Sequence, residues 1–132
     1  MKSISVFLLA IIFIGCATTP GEFREAPDTL TMVVVVNENY QATYRRLYEQ
    51  IKRTYEFRAI GGSRSVAGTL YTELGIGEIS IYLDEAKMTN FVVDIKKQGS
   101  EKSVVTIYHS NYDEKRALKV RDWAIQPETP QT

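Results

Sequence analysis

The chain has 132 residues, which is enough for one domain of ordinary size with short extensions. Apolar residues make up 44% of it and charged residues 24%, a globular composition that excludes a disordered chain or a membrane-embedded bundle. The 16 basic residues balance the 16 acidic ones, so no net charge favours bulk binding to nucleic acid.

Residues 1–15 have the pattern of a signal peptide. Lys2 precedes an apolar run from Ile4 to Ile14, which is shorter than the roughly 20 residues that a membrane-spanning helix needs. The only cysteine of the chain, Cys16, follows this run directly, and one cysteine cannot form an intrachain disulfide. We therefore expect export, with Cys16 serving another purpose.

The stretch "FIGC" at positions 13–16 resembles the lipobox of bacterial lipoproteins, with phenylalanine where leucine is usual and isoleucine where alanine or serine is usual. The resemblance covers the leader only. It implies that Cys16 carries a covalent lipid, becomes the first residue after cleavage and anchors the chain in a membrane. Ala17 and Thr18 stand where an aspartate favours inner-membrane retention in that family, which implies the outer membrane, facing the periplasm.

Two other outcomes fit the same leader. The triplet Gly15-Cys16-Ala17 also suits ordinary signal peptidase, which would cut after Ala17 and discard the cysteine. The apolar run could instead stay uncleaved as a hydrophobic anchor. Lipidation alone accounts for a lone cysteine at the end of the run, so it is the outcome that we predict.

The rest of the sequence predicts a tether, one domain and a tail. Residues 16–29 contain two prolines and no helical or strand period, which predicts a lipidated N-terminus followed by a flexible tether. Residues 30–125 are expected to form one globular domain. The polar, proline-containing residues 126–132 are expected to be a disordered tail.

The domain begins with a predicted strand and a predicted helix. The stretch "LTMVVVV" from Leu30 to Val36, with its run of β-branched residues, predicts a strand in the interior of a sheet, with both faces covered. Asn37 or Asn39 can then cap a helix that extends to Tyr55. Its tyrosines recur at helical spacing, which is typical of a buried face rather than of a ligand-binding stripe.

A first predicted hairpin follows this helix. Residues 66–74 and 77–84 both alternate, and Gly75-Ile76 between them fits a two-residue type II′ turn. This register sets Leu70 opposite Ile81.

A second hairpin and a helix complete the predicted domain. Residues 91–97 and 102–110 pair through a three-residue loop, which sets Val93 opposite Ile107. Asn111 and Glu114 approximate a capping box at the start of a helix that runs to Ile125. The order β-α-β-β-β-β-α predicts a two-layer α+β fold, with two helices packed on one face of a mainly antiparallel sheet of about five strands.

Three side chains are candidates for catalysis. Glu73 and Glu78 face each other across the predicted turn, and paired carboxylates can create a general acid, although both would be well hydrated there. His109 is the only histidine, and no cysteine cluster or nucleophile motif accompanies it. We therefore expect no enzyme, no metal site and no cofactor other than the lipid on Cys16.

The sheet face turned away from the helices is the candidate binding surface. The predicted registers place Tyr71, Tyr82, Tyr108, Thr69 and Thr106 on it, and tyrosines among hydroxyls are common in binding faces. Ordinary cross-strand pairs on a wet face would give the same pattern. We predict a non-enzymatic periplasmic lipoprotein, anchored in the outer membrane, that binds an envelope protein.

Two alternatives remain open at this stage. The domain could bind a small ligand, such as a peptidoglycan fragment or a lipid, in a cavity between the helices and the sheet. It could also be a hydrolase that uses Glu73, Glu78 or His109. The sequence leaves the oligomeric state open.

Overall fold

A computed structural model describes residues 19–125 of the chain. The predictions for the leader, for Cys16 and for residues 126–132 lie outside this range. In chain order, the elements are α1 (Pro20–Glu25), β1 (Leu30–Val36), α2 (Tyr40–Tyr55), β2 (Arg64–Tyr71), β3 (Ile76–Leu83), β4 (Met88–Gly99), β5 (Lys102–His109), a 3-10 turn (Asn111–Asp113) and α3 (Glu114–Ile125).

The strands form one antiparallel sheet in the order β1-β5-β4-β3-β2. Two long helices, α2 and α3, pack on one side, which we call the helical face. The short α1 packs on the opposite side, which we call the outer face. The predicted α+β fold with a five-stranded sheet is confirmed. Within residues 19–125, no helix combines the length and the apolar character needed to cross a membrane.

The core lies between the helical face and the two long helices. Its largest fully buried side chains are Phe91, Leu47, Ile51, Ile79, Ile81, Ile95, Ile107, Val93, Val105 and Val120. Burial of each such side chain contributes about 1.5–3 kcal/mol, so this layer supplies most of the stability. Tyr40 and Tyr44 are buried in the same cluster, which confirms that the tyrosine row of α2 packs into the core.

Two glycines allow α2 to approach the sheet closely. Tyr44 and Tyr48 stack with their ring centroids 5.8 Å apart, and they lie directly over Gly68 of β2 and Gly77 of β3. A Cβ atom at Gly77 would lie 2.6 Å from Cδ2 of Tyr44, and one at Gly68 would lie 2.6 Å from Cδ2 of Tyr48. The absence of side chains at these positions therefore leaves the space that the ring stack occupies.

A polar network joins the end of β1 to both long helices. Arg46 of α2 donates hydrogen bonds to the carbonyls of Trp123 and Ala124, at the C-terminal end of α3, and also binds Glu38 at 2.9 Å. Thr43 donates to Glu38 at 2.7 Å. Burial opposes ionisation of Glu38, but the bonds from Arg46 and Thr43 outweigh it and hold the pKa of Glu38 below its ordinary value.

Strand β1 has the predicted bounds, but its predicted position is wrong. It lies at the edge of the sheet and pairs with β5 alone among the described strands. Among the described elements, α3 packs on its helical side, whereas on its outer side Val33 is 60% exposed and Val35 is 54% exposed. The unbroken valine run therefore does not reflect burial on both faces.

The predicted register of the first hairpin is also wrong. The chain turns through four residues, 72–75, with Gly75 at a φ of 65°, so that Tyr71 pairs with Ile76 and Leu70 pairs with Gly77 instead of Ile81. Glycine accommodates this left-handed conformation without steric cost. Because the error is an even number of residues, the side chains that remain in the two strands still lie on their predicted faces.

The second hairpin has the predicted register, since Val93 pairs with Ile107 and Ile95 pairs with Val105. The last helix continues to Ile125, the last residue that the structure describes, but the predicted capping box at its start does not form. A 3-10 turn replaces the first helical residues, and its cap residue is Ser110, which makes no side-chain capping bond.

Candidate interaction surface

The outer face presents rows of side chains that cross all five strands. The central row, read from β1 to β2, consists of Val33, Thr106, Asp94, Glu78 and Thr69. Two acidic side chains are thus direct neighbours on β4 and β3. Like charges in that position repel each other, so this row needs a cation nearby.

The short helix α1 supplies that cation, and the sequence analysis missed this helix. Thr19 caps it by accepting a hydrogen bond from the amide of Glu22, and Pro20 occupies its first turn. Phe23 is only 6% exposed and packs against Val92 of β4. Residues 20–25 were predicted to be part of a tether before a domain that starts at residue 30, but they form this helix and pack on the sheet as part of the fold.

Arg24 of α1 holds the two acidic side chains together. Its Nε and Nη2 donate to the two carboxylate oxygens of Asp94 at 2.8 Å and 2.6 Å, and Nη2 also donates to Glu78. The guanidinium lies 5.7 Å from the centre of the Tyr108 ring. Burial works against the charged form, but the bonds and attraction from both carboxylates outweigh it and raise the pKa of Arg24. The cluster fixes α1 to the sheet.

The structure only partly brings the predicted binding residues together. Thr69 and Thr106 share the central row, but Asp94 and Glu78 lie between them. Tyr108 packs against the α1 region and is half-buried. Tyr71 and Tyr82 do share the outer face, but Tyr71 of β2 pairs with Ile76 at the start of β3, whereas Tyr82 lies near the end of β3. Six residues of β3 separate the two positions, which is about 20 Å at 3.3 Å per residue. The five residues therefore do not form a continuous binding patch.

The outer edge of β1, which no other described strand covers, is a feature of this surface that the sequence did not predict. The strand carries no charged side chain, and Val33 and Val35 point from it to the outer face. The opposite edge of the sheet differs, because Arg64 at the start of β2 exchanges two backbone hydrogen bonds with Phe57, at 2.9 Å and 2.7 Å. The sequence signal was the valine run itself, which also fits an exposed apolar edge.

The candidate catalytic residues do not converge. Glu73 lies exposed in the four-residue turn, whereas Glu78 pairs across the sheet with Thr69 and binds Arg24. His109 is buried on the helical face, and its Nδ1 lies 2.9 Å from the carbonyl oxygen of Ser110. The prediction that Glu73 faces Glu78 is therefore wrong. Within residues 19–125, no cluster of three or more potential metal ligands occurs.

Open clefts lie at the surface of the domain. One of about 350 Å³ lies at the end of the sheet where β3 finishes, and Phe57, Leu83 and Ala86 contribute its apolar lining. Another of about 360 Å³ lies on the exposed side of α2, between Arg45 and Arg53. Most of the side chains between the helices and the sheet are buried, which argues against a ligand held between the two layers.

Comparison with known proteins adds a weak structural likeness. No protein-family model and no curated protein matches the sequence. Among solved structures, the chain resembles a conserved protein of unknown function from Enterococcus faecalis, with a TM-score of 0.41 and 13% identity. The likeness covers 79% of this chain and 76% of that one, and it carries no argument about function.

Proposed function

We propose that this chain is a lipoprotein anchored through Cys16 in the outer membrane, facing the periplasm, and that its domain is a non-enzymatic module that binds an envelope protein. The observation that carries the binding role is the edge of β1 that no other described strand covers, with Val33 60% exposed and Val35 54% exposed. The partner contributes an extended, uncharged segment that adds to the sheet beside β1.

Strand addition fits the chemistry of this edge. An edge strand presents unpaired backbone N–H and C=O groups, and natural proteins usually protect such edges with charges, prolines or covering loops. The β1 edge carries no charged residue and no proline, whereas β2 begins with Arg64 and is bridged by Phe57. A partner strand would satisfy the backbone groups, and alternate apolar side chains would meet Val33 and Val35.

A small-ligand role is the second candidate, and one observation favours it. The cleft beside Phe57 and Leu83 has a volume of about 350 Å³, near the lower limit of the usual range for ligand pockets. A peptidoglycan fragment or a lipid would bind at this surface cleft, outside the packed core. Replacing Leu83 with lysine would abolish such binding and leave strand addition at β1 intact.

The anchor is tested by labelling growing cells with radioactive palmitate. We expect label on the natural chain and none on a Cys16→Ser variant, since the sulfur is the acylated atom. Two or three acyl chains hold a protein stably, because each buried methylene contributes about 0.8 kcal/mol. An unlabelled natural chain would refute the anchor.

The binding role is tested by placing a photo-crosslinking amino acid at single positions in intact cells. We expect crosslinks to an envelope protein from positions 33 and 35, and none from position 53 on the exposed side of α2. A Val33→Lys substitution should suppress the crosslink from position 35 with a stability change within about 0.5 kcal/mol, since this side chain is mostly exposed. Equal crosslinking from positions 35 and 53, or a product of twice the chain mass, would contradict a strand-adding partner.

A further inference from the structure

The link between the candidate anchor and the folded domain is short. Helix α1 begins at Pro20, and Thr19 caps it, so four residue steps separate Cys16 from the first helical residue. Four residues span at most about 14 Å when fully extended. If Cys16 is acylated, as proposed above, the start of α1 therefore lies close to the surface of the leaflet.

Helix α1 is attached firmly to one side of the sheet. Phe23 is buried against Val92, and Arg24 binds both Asp94 and Glu78. Behind the helix, the hydroxyl of Thr29 donates to the carbonyl of Phe23 at 2.7 Å. The point at which the lipid link joins the domain is thus fixed on the outer face.

These two facts restrict how the domain can lie on the membrane. For the exposed side of α2 to face the membrane, the link would have to extend from α1 past the sheet and past α2. This distance is about 25 Å, given by two interlayer spacings of about 10 Å and the radius of a helix. The link reaches about 14 Å at most. We propose that the outer face lies toward the leaflet that holds the acyl chains, with the helical face turned away from it.

The basic side chains of α2 would favour the reverse orientation. The exposed side of α2 carries Arg45, Lys52 and Arg53, with Glu49 among them, and basic side chains are attracted to anionic lipid headgroups. The short link prevents this side from reaching the headgroups while α1 stays docked. The two orientations place different residues at the membrane, so they can be distinguished directly.

The experiment uses the full lipidated chain in vesicles of phosphatidylethanolamine and phosphatidylglycerol. Thr69→Cys and Ala42→Cys form a matched pair, because both positions are exposed, uncharged and small, on the outer face and on α2 respectively. A fluorophore is attached to the introduced thiol, and a lipid with a spin-labelled headgroup serves as quencher. We expect several-fold stronger quenching at position 69 than at position 42, and equal or reversed quenching would overturn the proposed orientation.

Failure of the anchor gives a different result from failure of the orientation. Acylated Cys16 has no free thiol, so the chain without an introduced cysteine should take up no fluorophore and should sediment with the vesicles. Uptake of the fluorophore by that chain would refute the anchor, and with it the orientation.

A second variant tests whether the docking of α1 on the sheet sets the orientation of the domain on the membrane. Phe23→Ala combined with Arg24→Ala releases α1, and the link then extends to Leu30, with an r.m.s. reach of about 20 Å. We expect the difference in quenching between positions 69 and 42 to become several-fold smaller, while the circular dichroism spectrum stays that of a folded domain. An unchanged difference in this variant would show that the docked helix does not set the orientation.

Discussion

Replacing Gly77 with alanine tests how α2 is seated on the sheet. The new Cβ would lie 2.6 Å from Cδ2, 3.0 Å from Cγ and 3.1 Å from Cβ of Tyr44, all of them atoms near the backbone of that residue that cannot swing away freely. Gly99 is the matched control, because no atom lies within 4 Å of a Cβ there. Neither glycine has a positive φ, so alanine brings no backbone strain at either position.

The expected magnitudes follow from these distances. Forcing an extra methyl group into a packed core costs about 1–3 kcal/mol, so Gly77→Ala should lower the free energy of unfolding by that amount. Gly99→Ala should raise it by about 0.4–1 kcal/mol, because alanine reduces the entropy of the unfolded chain. Urea unfolding of the two variants measures the difference.

A double-mutant cycle identifies the source of the Gly77→Ala effect. In a Tyr44→Leu background the same substitution should cost clearly less, since the ring that it meets is gone. Equal midpoints of unfolding for Gly77→Ala and Gly99→Ala would refute the reasoning, and so would a cost that is independent of Tyr44.

Two further predictions concern the ion pairs. Arg24→Ala should lower the free energy of unfolding by about 1–3 kcal/mol, because it leaves the Asp94 carboxylate, whose side chain is 8% exposed, without its cation. The same substitution in an Asp94→Asn background should have no cost, and a full cost in that background would contradict this account. Glu38→Gln should cost less than about 1 kcal/mol at pH 7, since the Glu38 and Arg46 side chains are 29% and 23% exposed. Because the pKa of Glu38 is lowered from 4.5, the stability that it contributes is present above about pH 4.5 and is lost as the pH falls through its folded value, so the cost of Glu38→Gln should shrink steadily as the pH is lowered below 4.5. A cost that does not shrink in acid would contradict the assigned role of the carboxylate.

Local sequence patterns predicted most of the elements of this fold. The bounds of β1, the cap of α2 at Asn39 and the pairing of Val93 with Ile107 all follow from residues close together in the chain. The faces of the strands were also predicted correctly, because alternation fixes them even when the register is misjudged by an even number of residues.

The errors concern interactions between distant parts of the chain. Arg24 binds residues 54 and 70 positions away, so a window of sequence around α1 contains no sign of its partners. A local sign of the helix did exist, since Thr19 and Glu22 have the spacing of a capping box and Pro20 suits the first turn. The place of β1 in the sheet depends on strand order, which hydrophobicity alone does not determine.

The docking of α1 also has a practical consequence for producing the domain. A recombinant chain that starts at Leu30 would lack Phe23 and Arg24, so Val92 would meet water and two facing carboxylates would remain without their shared cation. Such a truncation would aggregate or unfold more easily than a chain that starts at Thr19. The N-terminal segment is therefore part of the smallest unit that folds fully.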